Sequence, residues 1–118
     1  MRENVLKAKS FLFAIRIVKA YRYLVEQKKE HILSRQLVRS ATSVGSIVRE
    51  AEHAESIKDF THKLSIGLKE INECKYWLDL LFATEYLTKS IYDSLNKDCE
   101  ELLKLLIASV KTSKKNIK

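Results

Sequence analysis

The sequence predicts an all-α domain, an antiparallel up-down-up-down four-helix bundle with helices over about 4–28, 34–54, 57–84 and 89–110. Three observations carry this. The 118 residues contain no proline and only two glycines, Gly45 and Gly67, so the tight turns of a multi-stranded sheet have few residues to form them. Apolar residues recur at intervals of three and four in four long stretches, the period of a helix with one buried face. The stretches are joined by short polar links, which place successive helices antiparallel. At 46% hydrophobic, a chain of one domain's length can form a single core without disulfides or metals.

The first stretch places Leu6, Phe11, Phe13, Ala14, Ile15, Ile17, Val18, Tyr21, Leu24 and Val25 on one broad arc. That arc is wider than the roughly 100° stripe needed to face one core, so this helix is expected to make a second contact. Arg2, Lys9, Arg16, Lys19 and Arg22 fall on the other side, with Leu12 and Tyr23 among them. The polar link from Gln27 to Glu30 follows.

In the second stretch Ser34 is the expected N-cap, and Leu37, Ala41, Val44, Val48 and Ala51 form the core stripe. A separate face carries Arg35, Arg39, Thr42, Ser46, Arg49 and His53, each three or four residues from the next. Gly45 lies inside this helix at a cost of about 1 kcal/mol relative to alanine. A close backbone contact would explain it.

The third stretch starts at Ser56, which with Asp59 resembles a capping box. Phe60, Leu64, Gly67, Leu68, Ile71, Cys74, Leu78, Leu81 and Phe82 form its main stripe. Ile66, Trp77 and Leu80 lie on a different side, beside Lys69 and Glu73. They are candidates for an oligomer interface; the competing reading is that a neighbouring helix of the same chain covers them. The fourth stretch opens with Thr88 as N-cap and buries Ile91, Leu95, Cys99, Leu102, Leu106 and Val110. Its last residues, from Lys111, are expected to fray.

The net charge of +7 is unevenly placed. Residues 1–29 hold eight basic and two acidic side chains, and residues 87–118 hold seven and four. Residues 30–56 and 57–86 are each one charge negative. Basic faces interleaved with aromatic and hydroxyl side chains can donate to phosphate oxygens, so RNA or DNA is the favoured ligand class. The candidate residues are Arg2, Lys9, Arg16, Lys19, Arg22 and Tyr23 on one face and Arg35, Arg39 and Arg49 on the other. The competing readings are two solubilising faces, or an oligomer interface in which arginine meets glutamate.

Other chemistry has little support. Glu50-x-x-His53 has the spacing of a bundle metal ligand pair, and Asp59-x-x-His62 is close to it. Both fall outside the apolar stripes and crowd one hinge, so neither is expected to hold a metal. No serine sits in a nucleophile elbow and no glycine-rich phosphate loop is present. No enzymatic activity and no cofactor is therefore expected. Cys74 and Cys99, on apolar helix faces, are expected to be reduced core residues. The longest apolar run near the N-terminus, Phe11–Ile15, is too short for a signal segment, and no run approaches a membrane span, so a cytoplasmic protein is expected.

The successive segments SRQLVRSATSVGSIVREA, DFTHKLSIGLKE and NECKYWLDLL, within Ser34–Phe82, resemble those of the bacterial four-helix bundle proteins encoded in intervening sequences of 23S ribosomal RNA genes, also called S23-like ribosomal proteins. KSFLFAIRI and ELLKLLIASVK, on either side, are compatible with this family. The resemblance implies a bundle that assembles into rings, typically pentamers. It also implies a distant relation to the accessory variability determinant of diversity-generating retroelements, which binds nucleic acid and a reverse transcriptase. Possession of a reverse transcriptase or other protein partner is thus an expectation from resemblance alone. Ile47-Val48-Arg49-Glu50-Ala51 and Gly67 depart from the family pattern, which more often has Asn-Ile-Ala-Glu-Gly and alanine there. The family supplies no catalytic residues, and by analogy Arg35 and Arg39 are the basic positions to test.

Overall fold

The computed structural model describes residues 2–117, and for residues 2–4 the backbone alone. Four helices, α1 (Arg2–Glu26), α2 (Leu33–Ala51), α3 (Ile57–Ala83) and α4 (Lys89–Lys115), run antiparallel in a bundle of 50 × 20 × 20 Å. Each packs on two neighbours, and the ring of contacts closes between α1 and α4. The α2–α3 pair is the most extensive and α1–α4 the least.

The core forms where the apolar stripes meet. Leu6, Phe13, Ile17 and Leu24 of α1 face Leu37, Ala41 and Val44 of α2, Leu64, Ile71 and Leu78 of α3, and Leu102 and Leu106 of α4. Cys74 and Cys99 are buried within this set as free thiols, and the Cys99 thiol donates to the Ile71 carbonyl. Removing this apolar surface from water, at about 25 cal/mol per Å², is the main force holding the helices together.

Helix ends depart from the sequence in instructive places. Ser34 is not the N-cap of α2. The helix starts one residue earlier, and the buried Glu30 carboxylate takes the capping role by accepting the backbone N–H groups of Ile32, Leu33 and Ser34. Lys29, with φ of 56°, makes the reversal that brings Glu30 into position. α2 stops at Ala51 rather than 54, because the N–H groups of Glu52, His53 and Ala54 turn to carbonyls three residues back. Ser56 caps α3 through the Asp59 N–H, and Asp59 reaches back to the Glu55 N–H in place of that of Ser56. Thr88 caps α4 through the N–H of Ile91. The residues after Val110 are helical to Lys115, since Ser113 is buried and its hydroxyl meets that of Thr61 on α3.

Both glycines sit at helix contacts. A Cβ at Gly45 would lie 3.6 Å from the Ser10 carbonyl oxygen of α1, an ordinary contact distance. A Cβ at Gly67 would lie 3.0 Å from a methyl of Ile47 on α2, which is crowded. The close approach anticipated at Gly45 is therefore found more sharply at Gly67.

Candidate nucleic-acid interface

The helical period distributes the basic residues of α1 over two sides of the bundle. Lys9, Arg16 and Tyr23, seven residues apart, face α4. The Arg16 guanidinium forms an ion pair with Asp98 and also donates to the hydroxyl of Ser94 at 2.6 Å and its carbonyl at 3.3 Å. Lys9 pairs with Glu101 at 3.1 Å. These two cations therefore fasten α1 to α4, and their charge is partly met by acids of the same chain. Below them the seam opens into a cleft of about 480 Å³ whose walls include Arg16, Lys19, Tyr23, Ser90 and Ser94. Small side chains at Ala20, Ser90 and Ser94 leave this space between the two least intimately packed helices.

On the α1–α2 side, the Arg49 guanidinium lies 4.9 Å from the centre of the Phe11 ring, a cation–π contact. The two residues border a shallow groove that also includes Thr42, Gly45 and Ser46. Arg35 is exposed in the first turn of α2, two turns from this groove. Arg39 is not free. It forms ion pairs with Glu73 and Glu70 of α3 and accepts no role as an open donor, since its Nε also donates to Gln36. The Thr42 hydroxyl, placed by the sequence on a donor-rich stripe, donates to the Val38 carbonyl of its own helix at 2.8 Å.

The nine candidate residues thus separate by partner. Lys19, Arg22, Arg35 and Arg49 form no ion pair among the described residues, whereas Lys9, Arg16 and Arg39 each hold a carboxylate. Tyr23 packs partly on the core and partly lines the cleft. The Arg2 side chain lies outside the described residues.

Ile66, Trp77 and Leu80 are each half-buried. Trp77 packs against the core, donates its ring N–H to Glu73 at 3.3 Å and meets Tyr76 edge-on at 5.0 Å. Because Glu73 also holds Arg39, Trp77 is part of the network that joins α2 to α3.

A larger apolar surface lies elsewhere. Val5, Phe11, Leu12 and Ile15 of α1 are 39%, 50%, 60% and 38% exposed, and they share the outer face of that helix. The excessive width of the apolar arc in the first segment is the signal that points to it. Leu12, at the edge of the basic side in sequence, extends the arc rather than interrupting the basic face.

Among the described residues, no group of three or more His, Cys, Asp or Glu side chains is placed to hold a metal ion. None of the helices is long and apolar enough to cross a membrane among those residues.

Comparison with known proteins matches residues 2–108 to the family model of the 23S rRNA-intervening sequence protein. The chain belongs to this family. A crystal structure of a protein with unknown function from the S23 ribosomal protein family of Bacteroides thetaiotaomicron VPI-5482 is 52% identical in sequence. The alignment covers 94% of this chain and 99% of that one, with a TM-score of 0.92. The intervening-sequence protein fold is therefore shared along nearly the whole length of both chains. No match was found among curated proteins.

Proposed function

We propose that this intervening-sequence protein is a non-enzymatic, cytoplasmic assembly module that binds RNA or DNA through the backbone phosphates. The observation that carries this reading is the set of exposed cations without carboxylate partners, Lys19 and Arg22 on α1 and Arg35 and Arg49 on α2, on two helices that pack together. A cation already neutralised within the chain gains little from a phosphate, whereas each of these can release a counterion from the nucleic acid on binding. Binding of a generic RNA or DNA oligonucleotide, followed by fluorescence anisotropy at about 50 and about 200 mM salt, tests this. Charge reversal at Lys19, Arg22 and Arg35 together should weaken binding and flatten its salt dependence. The same change at Lys104, on α4, should do far less. Absence of binding at the lower salt, or indifference to the triple reversal, would rule the reading out.

The exposed apolar ridge of α1 favours self-association as the other half of this function. The family resemblance makes a ring, typically a pentamer, the assembly to look for. Light scattering should then report a species larger than a monomer at micromolar concentration, and Leu12→Glu should dissociate it with helicity intact. A monomeric wild-type protein would count against assembly. If assembly occurs without nucleic-acid binding, the protein is a scaffold for protein contacts.

A further inference from the structure

The cleft between α1 and α4 has a composition that a phosphate-binding surface alone does not need. One wall carries Lys19, which has no ion pair among the described residues, and Arg16, whose guanidinium is fixed by Ser94 and Asp98. Ser90 and Ser94 add hydroxyls at the opposite wall. The floor is apolar, formed by Ile91 and the buried Leu95, and Tyr23 supplies an aromatic ring. Its volume, about 480 Å³, is in the range of small-ligand pockets, roughly 300–1,000 Å³.

A bare phosphate would meet Lys19 and leave the apolar floor in contact with water. A purely apolar ligand would cover the floor and desolvate Lys19 without recompense. An anion joined to a flat, hydrogen-bonding ring satisfies both halves. We propose that this cleft is a subsite for one nucleotide of a single-stranded nucleic acid, with the base against Tyr23 and the apolar floor and its phosphate at Lys19. A base within a duplex is stacked and paired, and could enter only by leaving the stack, whereas an unpaired base is already available. The proposal rests on the nucleic-acid reading above and adds to it a preference for unpaired bases.

The test compares two fluorescent single strands of roughly 12 units, oligothymidylate and an abasic strand with the same phosphates, against the wild-type protein and Ser90→Phe. Ser90 is exposed in the first turn of α4, so the new ring can occupy the cleft without altering charge or core. Wild type should bind the base-bearing strand about tenfold more tightly than the abasic one, the expected effect of one stacked base. Ser90→Phe should abolish that preference, so that it binds the two strands with equal affinity. Tyr23→Leu should reduce the preference by the same route, which keeps the test informative if the first variant is misfolded by circular dichroism. Equal binding of the two strands by wild type, or a preference that survives in both variants, would overturn the subsite and leave the phosphate-binding reading standing. Failure of both strands to bind would overturn that wider reading and the subsite with it.

Discussion

The Glu30 carboxylate accepts the backbone N–H of Ser34 at 2.7 Å, and the Ser34 hydroxyl donates to the Glu30 carbonyl at 2.8 Å. This reciprocal pair closes the link between α1 and α2 and orders the first turn of α2. Burial by itself would raise the Glu30 carboxyl, but the N–H donors of Leu33, Ser34 and Ile32 outweigh it and hold the group below its ordinary value of 4.5. A group lowered in the folded state contributes stability above its unfolded value, and that contribution disappears as the pH falls through the folded value. Glu30→Gln should therefore cost about 1–2 kcal/mol near pH 7, and much less near pH 3. Urea unfolding of both proteins at each pH measures the gap; a gap that does not shrink in acid would show that the carboxylate charge is not what caps α2.

The two glycines give opposite expectations for the same substitution. At Gly45 a methyl group has room, 3.6 Å from the Ser10 carbonyl, so Gly45→Ala should stabilise the protein by about 0.5–1 kcal/mol through helix propensity alone. At Gly67 the new methyl would meet Ile47 Cγ2 at 3.0 Å. Ile47 is β-branched and held to one χ1 rotamer in a helix, so it yields poorly. Gly67→Ala should gain nothing and lose up to about 1 kcal/mol through overpacking of the α2–α3 contact. Thermal unfolding of the two single variants distinguishes them, and a gain at Gly67 as large as that at Gly45 would show that this contact is looser than its geometry implies.

Cys74 and Cys99 should be inert in the folded protein. The neighbouring Cys99 thiol, and then burial, push the Cys74 thiol well above its ordinary value of 9.0. The Cys99 thiol is also fully buried and donates to the Ile71 carbonyl at 3.7 Å. Neither offers an accessible thiolate to an oxidant or alkylating agent. A disulfide-exchange reagent in excess should label both thiols quickly in denaturant and only at the rate of unfolding in native buffer. Labelling at the rate of a free thiol in native buffer would mean that the α3–α4 interface opens locally.

The four helices were legible because the apolar period is strong and the chain lacks proline. Thr88 and Ser56 were legible as caps because each sits just before its helix, with its oxygen in reach of the N–H three residues on; Ser34, read by the same rule, lies inside α2 and donates to the Glu30 carbonyl instead. Glu30 was not, because it acts from outside the helix, and only after Lys29 takes a left-handed conformation that sequence does not reveal. The frayed tail expected after Val110 is helical because Ser113 finds Thr61 on a helix 52 residues earlier, a tertiary contact with no local signature. The basic faces were visible as residue types, but their availability was not. Arg16 and Lys19 share one side of a helical wheel, and only the position of Asp98 shows that the first is committed and the second open. Periodicity assigns a residue to a face; it does not say which acid, on which other helix, arrives opposite.

The weak contact between α1 and α4 bears on the order in which the molecule forms. The contacts that join the other helices bridge modest lengths of chain, such as the 34 residues from Arg39 to Glu73 or the 28 from Ile71 to Cys99. Those that close α1 on α4 span 78 to 92 residues, from Arg16 to Ser94 and from Lys9 to Glu101. Loop-closure entropy rises with that span, and here it is repaid by exposed ion pairs around a cleft rather than by dense packing. The folding chain therefore has reason to complete α2, α3 and α4 as a nucleus and to dock its first helix last. The helix with the largest net positive charge, six basic side chains against two acidic, is the one with the least hold on the rest of the bundle.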